Sequence, residues 1–101
     1  MKRSVVRYRV KSDQVERNRE LVRAVYEELH RSSPSGIAYS TYELDDGTFV
    51  HVAEENGEKL SALRAFAAFR EGIAERCEDP PVALAASEVG SYRPQSEASS
   101  E

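Results

Sequence analysis

The sequence has little cysteine, no tryptophan and no long apolar run, and each absence excludes a class of protein. Its single cysteine, Cys77, cannot form an internal disulfide, which favours a reducing compartment over secretion. No run of about 18 apolar residues is present, so no membrane-spanning helix is expected. Residues 1–4 lead directly into a strand-like pattern, without the apolar stretch of a secretory signal. We therefore expect a cytoplasmic protein without membrane contact.

The sequence also lacks an excess of basic residues. It has 14 Lys and Arg against 18 Asp and Glu, a formal net charge of −4 at pH 7. Binding nucleic acid through its phosphates requires a concentrated basic face, so no nucleic-acid partner is expected. The sequence shows no metal-ligand spacing of Cys and His and no glycine-rich phosphate loop, so no metal or other cofactor is predicted.

What the sequence does contain is a regular succession of strand and helix patterns in 101 residues, enough for one domain. Strands are recognised by alternating apolar residues, and helices by apolar residues at helical spacing. The predicted strands cover residues 4–11, 37–44, 48–54 and 86–92, and the predicted helices cover residues 14–31 and 59–77. Asp13 is the predicted N-cap of the first helix. Residues 94–101, rich in Ser and Glu, are predicted to form a disordered tail.

The pair Asp46-Gly47 separates the two middle strands and is typical of a two-residue hairpin turn. With these two residues in the turn, Tyr42 lies opposite His51 and Leu44 lies opposite Phe49. Residues opposite each other in a hairpin point to the same side of the sheet. Tyr42 and His51 are therefore predicted to be neighbours within hydrogen-bonding reach.

Two strand–helix–strand halves joined by this hairpin predict an α+β, ferredoxin-like βαββαβ domain over residues 1–93. The four-stranded antiparallel sheet has both helices on one face. The covered face is predicted to carry Val6, Tyr8, Val10, Val50 and Val52. The open face is predicted to carry Val5, Arg7, Arg9, Tyr42, Leu44, Phe49 and His51. Exposing such an aromatic patch favours aggregation, so a second copy is expected to cover it and form a dimeric α/β barrel.

The strand Val5–Lys11, and the segment Thr48–Glu54 leading into Leu60–Phe66, also carry a resemblance to a known superfamily. The chain resembles the dimeric α/β-barrel proteins, which include antibiotic-biosynthesis-monooxygenase-like and stress-responsive barrel proteins, over residues 4–93. The resemblance implies a homodimer whose two sheets face each other. It also implies a pocket between each sheet and its helices or near the mouth of the barrel.

The same resemblance bears on chemistry. Monooxygenases of this family that act on polycyclic aromatic compounds typically use no metal or flavin and surround the substrate with Asn, Trp and Arg. Haem-degrading relatives use an Asn on the first strand, a Trp, and a His on the second helix. This chain has no Trp, no His between residues 59 and 77, and Arg7 and Arg9 on its first strand. These departures argue against haem degradation.

His51 is the strongest candidate for a catalytic residue, because an ordinary histidine titrates near neutral pH and can act as acid or base. Tyr42 is its predicted catalytic partner. The alternative is a half-buried structural histidine bonded to Tyr42 or to a carboxylate of a partner subunit. Arg7 and Arg9 are candidate ligand-binding residues, because guanidinium groups bind carboxylates and phosphates. The alternative for both is pairing with acidic residues between subunits, or solvent exposure.

Phe49 and Tyr92 are further candidates for ligand binding. Tyr39, Tyr42 and Tyr92 could form ring walls of a pocket, although aromatic residues on strands more often serve packing. The leading hypothesis is a small-molecule-binding dimeric barrel that resembles cofactor-independent monooxygenases, with a small aromatic or anionic ligand. The alternative is a non-enzymatic homodimer that senses a ligand or mediates an interaction. The sequence leaves open whether the protein is an enzyme.

Overall fold

A four-stranded antiparallel sheet with helices packed on one of its faces forms the fold. In the computed structural model, which describes residues 2–94, the elements are β1 Lys2–Val10, α1 Val15–Ser32, β2 Ile37–Glu43, β3 Thr48–Glu55, α2 Arg64–Arg70, α3 Ile73–Arg76 and β4 Cys77–Ala85. The strand order is β2-β3-β1-β4, and every neighbouring pair is antiparallel. This is the ferredoxin-like arrangement, so the predicted fold class is confirmed.

The hydrophobic core lies between the helices and the face of the sheet that they cover. Its buried apolar members are Tyr8, Val10, Val22, Val25, Phe49, Ala53, Leu60, Leu63, Phe69 and Cys77. Val22 and Val25 form one stripe of α1, as expected for an amphipathic helix against a sheet. Of the helices described, none is both long and apolar enough to cross a bilayer.

The ends of α1 show which local signals were decisive. Its C-terminus closes on Ser33, which takes a left-handed conformation and donates its backbone N–H to the carbonyl of Leu29 at 2.7 Å. Pro34 follows and prevents the helix from continuing. The predicted N-cap is wrong, because Asp13 lies inside a short 3-10 turn and no side chain caps the first turn of α1.

The single helix predicted over residues 59–77 is also wrong. The structure has a 3-10 turn followed by two short helices, α2 and α3, with Gly72 between them at a φ of 74°. A positive φ suits glycine and ends α2. The start of α2 is fixed from α1, because the carboxylate of Glu28 accepts the backbone N–H groups of Arg64 at 3.3 Å and Ala65 at 2.8 Å. The consequence is a short helix whose two phenylalanines, Phe66 and Phe69, face the sheet.

The last strand begins earlier than predicted. β4 starts at Cys77 and contains Pro80 and Pro81, whereas residues 86–92 form no strand. Prolines are tolerated here because β4 is an edge strand that pairs only with β1. The pairing is irregular around Arg9, close to the two prolines. The predicted tail, residues 94–101, lies outside the described residues except for Pro94.

The hairpin between β2 and β3 has a register one residue away from the predicted one. Thr41 lies opposite His51 and Tyr42 lies opposite Val50. The backbone N–H of Leu44 donates to the carbonyl of Thr48 at 2.7 Å, which leaves a three-residue loop ending in Gly47 at a φ of 87°. Such three-residue loops with a left-handed glycine are the next most common hairpin after two-residue turns. The one-residue shift turns Tyr42 away from His51.

The two faces of the sheet differ from the prediction in β3 and in β4. Val6, Tyr8 and Val10 of β1 lie on the covered face, as predicted. Phe49 and His51 lie beside them, because His51 pairs with Val6 and Phe49 pairs with Tyr8. The open face carries Val5, Arg7, Tyr42, Leu44, Val50, Val52, Val82 and Leu84, the last two from the part of β4 that was not predicted as a strand. Its valines in β1 and β3 are half-buried, whereas Tyr42 and Leu84 are exposed, at 57% and 62%.

Candidate ligand-binding site

A cavity of about 310 Å³ lies between the covered face of the sheet and the segment that holds α2 and α3. Its aromatic wall consists of Tyr8, Tyr39, His51, Phe66 and Phe69, and Val6, Leu60 and Ile73 add aliphatic surface. The side chains of Lys2 and Lys59, both exposed, also line it. This size is at the lower end of the range for small-molecule sites, which is roughly 300–1,000 Å³.

His51 is held in place by aromatic rings on three sides. Its ring centroid lies 5.3 Å from that of Tyr8, 5.2 Å from that of Phe69 and 5.7 Å from that of Tyr39. Only 4% of the residue is exposed. The imidazole therefore has little freedom to rotate, and its two nitrogens keep fixed partners.

Five side chains form a continuous hydrogen-bonded series beside the cavity, which we call the polar chain: Arg76, Asn18, Tyr8, His51 and Tyr39. Arg76 Nε donates to Asn18 Oδ1 at 3.1 Å, and Asn18 Nδ2 donates to Tyr8 Oη at 3.0 Å. Tyr8 Oη lies 2.7 Å from His51 Nε2. On the other side of the ring, His51 Nδ1 lies 2.5 Å from Tyr39 Oη and 3.3 Å from Thr41 Oγ1.

The guanidinium at one end of the polar chain is buried without a carboxylate partner among the described residues. Instead, Arg76 donates to the backbone carbonyls of Phe69 at 2.6 Å and Glu71 at 3.0 Å, and it lies over the Phe69 ring. These carbonyls belong to the C-terminal end of α2, where the helix dipole favours a cation. Burial lowers the pKa of Arg76, but an arginine stays charged in proteins.

Burial controls the protonation of the other members of the polar chain. It lowers the pKa of His51 to about 4, so the imidazole is neutral at pH 7. It raises the pKa values of Tyr8 and Tyr39, so both hydroxyls keep their protons. The expectation that His51 titrates near neutral pH is therefore wrong. A neutral imidazole that is buried and has partners at both nitrogens is a weak base. It can still polarise the hydrogen bonds of its neighbours.

The structure separates the six residues predicted as site residues. Only His51 lines the cavity. Phe49 is 2% exposed and stacks on Tyr8 behind the cavity wall, at a centroid distance of 5.6 Å. The remaining four do not reach the cavity. Tyr42 and Arg7 lie exposed on the open face, Arg9 forms an ion pair with Asp79 at 2.9 Å, and Tyr92 is 88% exposed beyond β4.

Of the polar chain, only His51 was predicted as a catalytic residue; Tyr39 was considered only as a pocket wall, and no role for Asn18 is evident from the sequence. Asn18 is fully buried at 0% exposure. A signal was present, because Asn18 precedes Val22 and Val25 by four and seven residues, the spacing of one helix face. Tyr39 reaches His51 only in the observed hairpin register. Arg76 carries no local signal, because charged residues are rarely buried.

Comparison with models of known protein families gives no match, and comparison with curated proteins gives none either. Comparison with solved structures does give matches. The fold is similar to that of the protein Rv0793 from Mycobacterium tuberculosis, with a TM-score of 0.73 and 15% identity over 91% of this chain and 98% of the other.

Two further structures relate the fold to oxygenases. A protein from Nitrosomonas europaea, described as a candidate antibiotic biosynthesis monooxygenase, matches with a TM-score of 0.69 and 20% identity over 87% of this chain and 89% of the other. A monooxygenase from the ActVA-Orf6 gene of Streptomyces coelicolor, in complex with the ligand nanaomycin D, matches with a TM-score of 0.60 and 20% identity over 93% and 92%. The chain therefore has the fold of the antibiotic-biosynthesis-monooxygenase-like proteins, as its sequence predicted.

Proposed function

We propose that this chain binds a small, flat organic molecule in the cavity beside the polar chain, and that its reaction, where it has one, is a cofactor-independent oxygenation. The observation that carries the proposal is the juxtaposition of an apolar, aromatic-walled cavity with a buried series of hydrogen bonds that ends at it. A few oriented polar groups in a mostly apolar pocket are typical of small-molecule sites. The fold, which is similar to those of proteins described as monooxygenases, supports the proposed oxygenation.

The residues that line the cavity indicate what kind of ligand it would bind. The rings of Phe66, Phe69 and Tyr39 offer faces and edges to an aromatic system, which favours stacked or edge-on contact. The Tyr39 hydroxyl, which His51 holds in place, offers a hydrogen bond to one oxygen atom of the ligand. Lys2 and Lys59 could bind an acidic group at the solvent side. A two- or three-ring molecule with one carbonyl or phenol oxygen fits these contacts.

The protonation states of His51 and Tyr39 limit which reaction the site can support. Neutral His51 is a weak base at pH 7, so its contribution is to position and polarise the Tyr39 hydroxyl. A hydroxyl held against a ligand carbonyl stabilises the negative charge that develops when a methylene conjugated with that carbonyl loses a proton to a solvent base. The resulting carbanion can supply the electrons for O₂. A methylene becomes a carbonyl, one oxygen atom enters the ligand, and the other leaves as water.

The test uses anthrone, a three-ring ketone with an activated methylene, as the probe. We expect anthrone to shift the amide NMR signals of residues around the cavity and to accelerate oxygen uptake. Tyr39→Phe should lower kcat/KM for oxygen uptake at least about tenfold, because it removes the donor to the developing oxyanion. The matched control, Tyr42→Phe on the open face, should leave the rate unchanged. Absence of binding by both anthrone and 1-naphthol would contradict the proposal.

The alternative function is a non-enzymatic ligand sensor. The observation in its favour is that both nitrogens of His51 already have partners inside the protein. A histidine satisfied in this way can support the cavity wall without taking part in a reaction. Binding of anthrone without faster oxygen uptake would select this alternative, because recognition would then be present without turnover.

We also propose that the protein is a homodimer joined through the open face. Most of the side chains named on this face are apolar, and within the described residues Tyr42, Leu44, Val82 and Leu84 are exposed. Removing them from water stabilises by about 25 cal/mol for each Å² of apolar area. Arg7 and Tyr42, predicted as site residues, lie on this face and would contribute to the contact between subunits. The proposed location is the cytoplasm, where the single, buried Cys77 would remain a free thiol.

A further inference from the structure

The polar chain has one direction, because the residue at one end can only donate. A guanidinium has N–H donors and no acceptor. The atom of Asn18 that faces Arg76 Nε must therefore be the amide oxygen, and the amide nitrogen must face Tyr8. This fixes an orientation that coordinates alone leave ambiguous, since the two ends of an amide look alike.

The same donor-to-acceptor direction continues through Tyr8. Tyr8 Oη accepts a hydrogen bond from the Asn18 nitrogen at 3.0 Å. Its own single proton needs an acceptor, and the contact within hydrogen-bond distance that can provide one is His51 Nε2 at 2.7 Å. A buried hydroxyl leaves its proton unpaired only at a considerable cost. His51 Nε2 is therefore the acceptor and carries no proton.

We infer that Asn18 and Arg76 are positioning residues that hold neutral His51 in the tautomer with its proton on Nδ1. A neutral imidazole has one donor and one acceptor nitrogen, so an accepting Nε2 requires a donating Nδ1. The Nδ1–H group points to Tyr39 Oη and Thr41 Oγ1. Neither positioning residue touches the cavity, and both act through Tyr8.

The tautomer determines what Tyr39 offers to a ligand. Its oxygen accepts the hydrogen bond from His51, so its own proton is available to an acceptor, either the Thr41 hydroxyl or a ligand oxygen in the cavity. The cavity would then prefer a ligand whose oxygen accepts, such as a ketone or an enolate. This last step rests on the proposed function, whereas the tautomer itself does not.

The experiment replaces one atom of the polar chain. Asn18→Asp keeps the shape and the bond to Arg76 but converts the donor to Tyr8 into an acceptor. Tyr8 should then donate to the new carboxylate and accept from His51, so the imidazole proton should move to Nε2. Long-range ¹H–¹⁵N correlation spectra of the ligand-free protein at pH 7.5 distinguish the two tautomers by their nitrogen shifts and couplings.

We expect an excess of at least about tenfold of the Nδ1–H tautomer in the unmodified protein, and the reverse in Asn18→Asp. Asn56→Asp, the same change at an exposed position, should leave the tautomer unchanged. An Nε2–H signal in the unmodified protein, or an unchanged tautomer in folded Asn18→Asp, would overturn the inference. Where Asn18→Asp does not fold, the spectrum of the unmodified protein decides alone. No ligand is present, so failure of the proposed function leaves the result intact.

Discussion

Each face of the sheet carries residues that are unusual for their surroundings. On the covered face, Tyr8 and His51 are buried with Asn18 and Arg76 in one hydrogen-bonded series. The open face carries valines, leucines and a tyrosine, with Leu84 at 62% exposure. The contrast supports the proposals that the covered face serves a ligand site and that the open face serves a contact between subunits.

The polar chain has an energetic cost that packing alone does not justify. Buried polar networks stabilise a structure only when every member is satisfied, and an apolar replacement of the whole set is often no less stable. Within residues 2–94, no buried side-chain nitrogen or oxygen lacks a partner. Complete satisfaction beside a cavity is what a preorganised binding site requires.

The largest effect should come from breaking the buried end of the polar chain. Arg76→Met removes the donors to Asn18 and to two carbonyls of α2, and it leaves those acceptors unpaired. We expect the free energy of unfolding to fall by about 3–5 kcal/mol, because three buried or partly buried acceptors lose their donor at about 1–3 kcal/mol each, measured by urea denaturation. Arg70→Met, the same change at an exposed site of α2, is the control and should have little effect. Equal losses in both variants would mean that Arg76 is not part of a buried network.

The second effect is on the pH dependence of stability, where the contribution of His51 can be distinguished from those of exposed carboxylates. The pKa of His51 is about 4 in the folded protein and near 6.5 when unfolded, so the unfolded chain takes up the proton first. The resulting stabilisation is complete above pH 6.5 and is lost as the pH falls through 4. We expect a loss of about 3 kcal/mol over this window.

His51→Gln should flatten the stability curve between pH 6.5 and 4, measured by denaturation at a series of pH values. The pKa values of Glu43 and Asp46 are lowered by hydrogen bonds to Arg19 and Thr48, and their contributions vanish only below their own ordinary values. These contributions remain in the variant. A variant curve as steep as that of the unmodified protein would show that His51 is not buried as a neutral group.

The third effect tests the open face. Leu84→Arg places a charge within the proposed contact and should raise the dissociation constant of the dimer at least about a hundredfold, about 2.7 kcal/mol. Analytical ultracentrifugation over a micromolar concentration series measures it. Ala68→Arg, at an exposed position of α2, is the control and should leave the dimer intact. A stable monomer of the unmodified protein at micromolar concentration would contradict the proposed contact.

The sequence was sufficient for the fold because its strongest patterns agree with one topology. The alternation in β1 placed Val6, Tyr8 and Val10 on the covered face, since charged residues occupy the other positions. Helical spacing in the first helix and the Pro34–Gly36 segment after it set the boundary of α1 closely. These signals are local, and each is repeated over several residues.

The site was harder to predict because it depends on single-residue details. In β3, all four residues from Phe49 to Val52 are fit for burial, so the alternating pattern does not indicate which face of the strand is covered. The loop then decides the register, and Asp45-Asp46-Gly47 fits a two-residue or a three-residue turn, since Gly47 tolerates a positive φ in either. The carbonyls of Phe69 and Glu71 are free to bind Arg76 because the helix is interrupted at Gly72. Helical periodicity in the sequence does not reveal this interruption.

The two adjacent prolines of β4 bear on how copies of this chain can associate. Pro80 and Pro81 have no backbone N–H, so β4 lacks two donors where its pairing with β1 is already irregular. An edge strand with missing donors is a poor template for pairing with the edge of another sheet. The two prolines therefore oppose edge-to-edge growth into open-ended fibrils along β4.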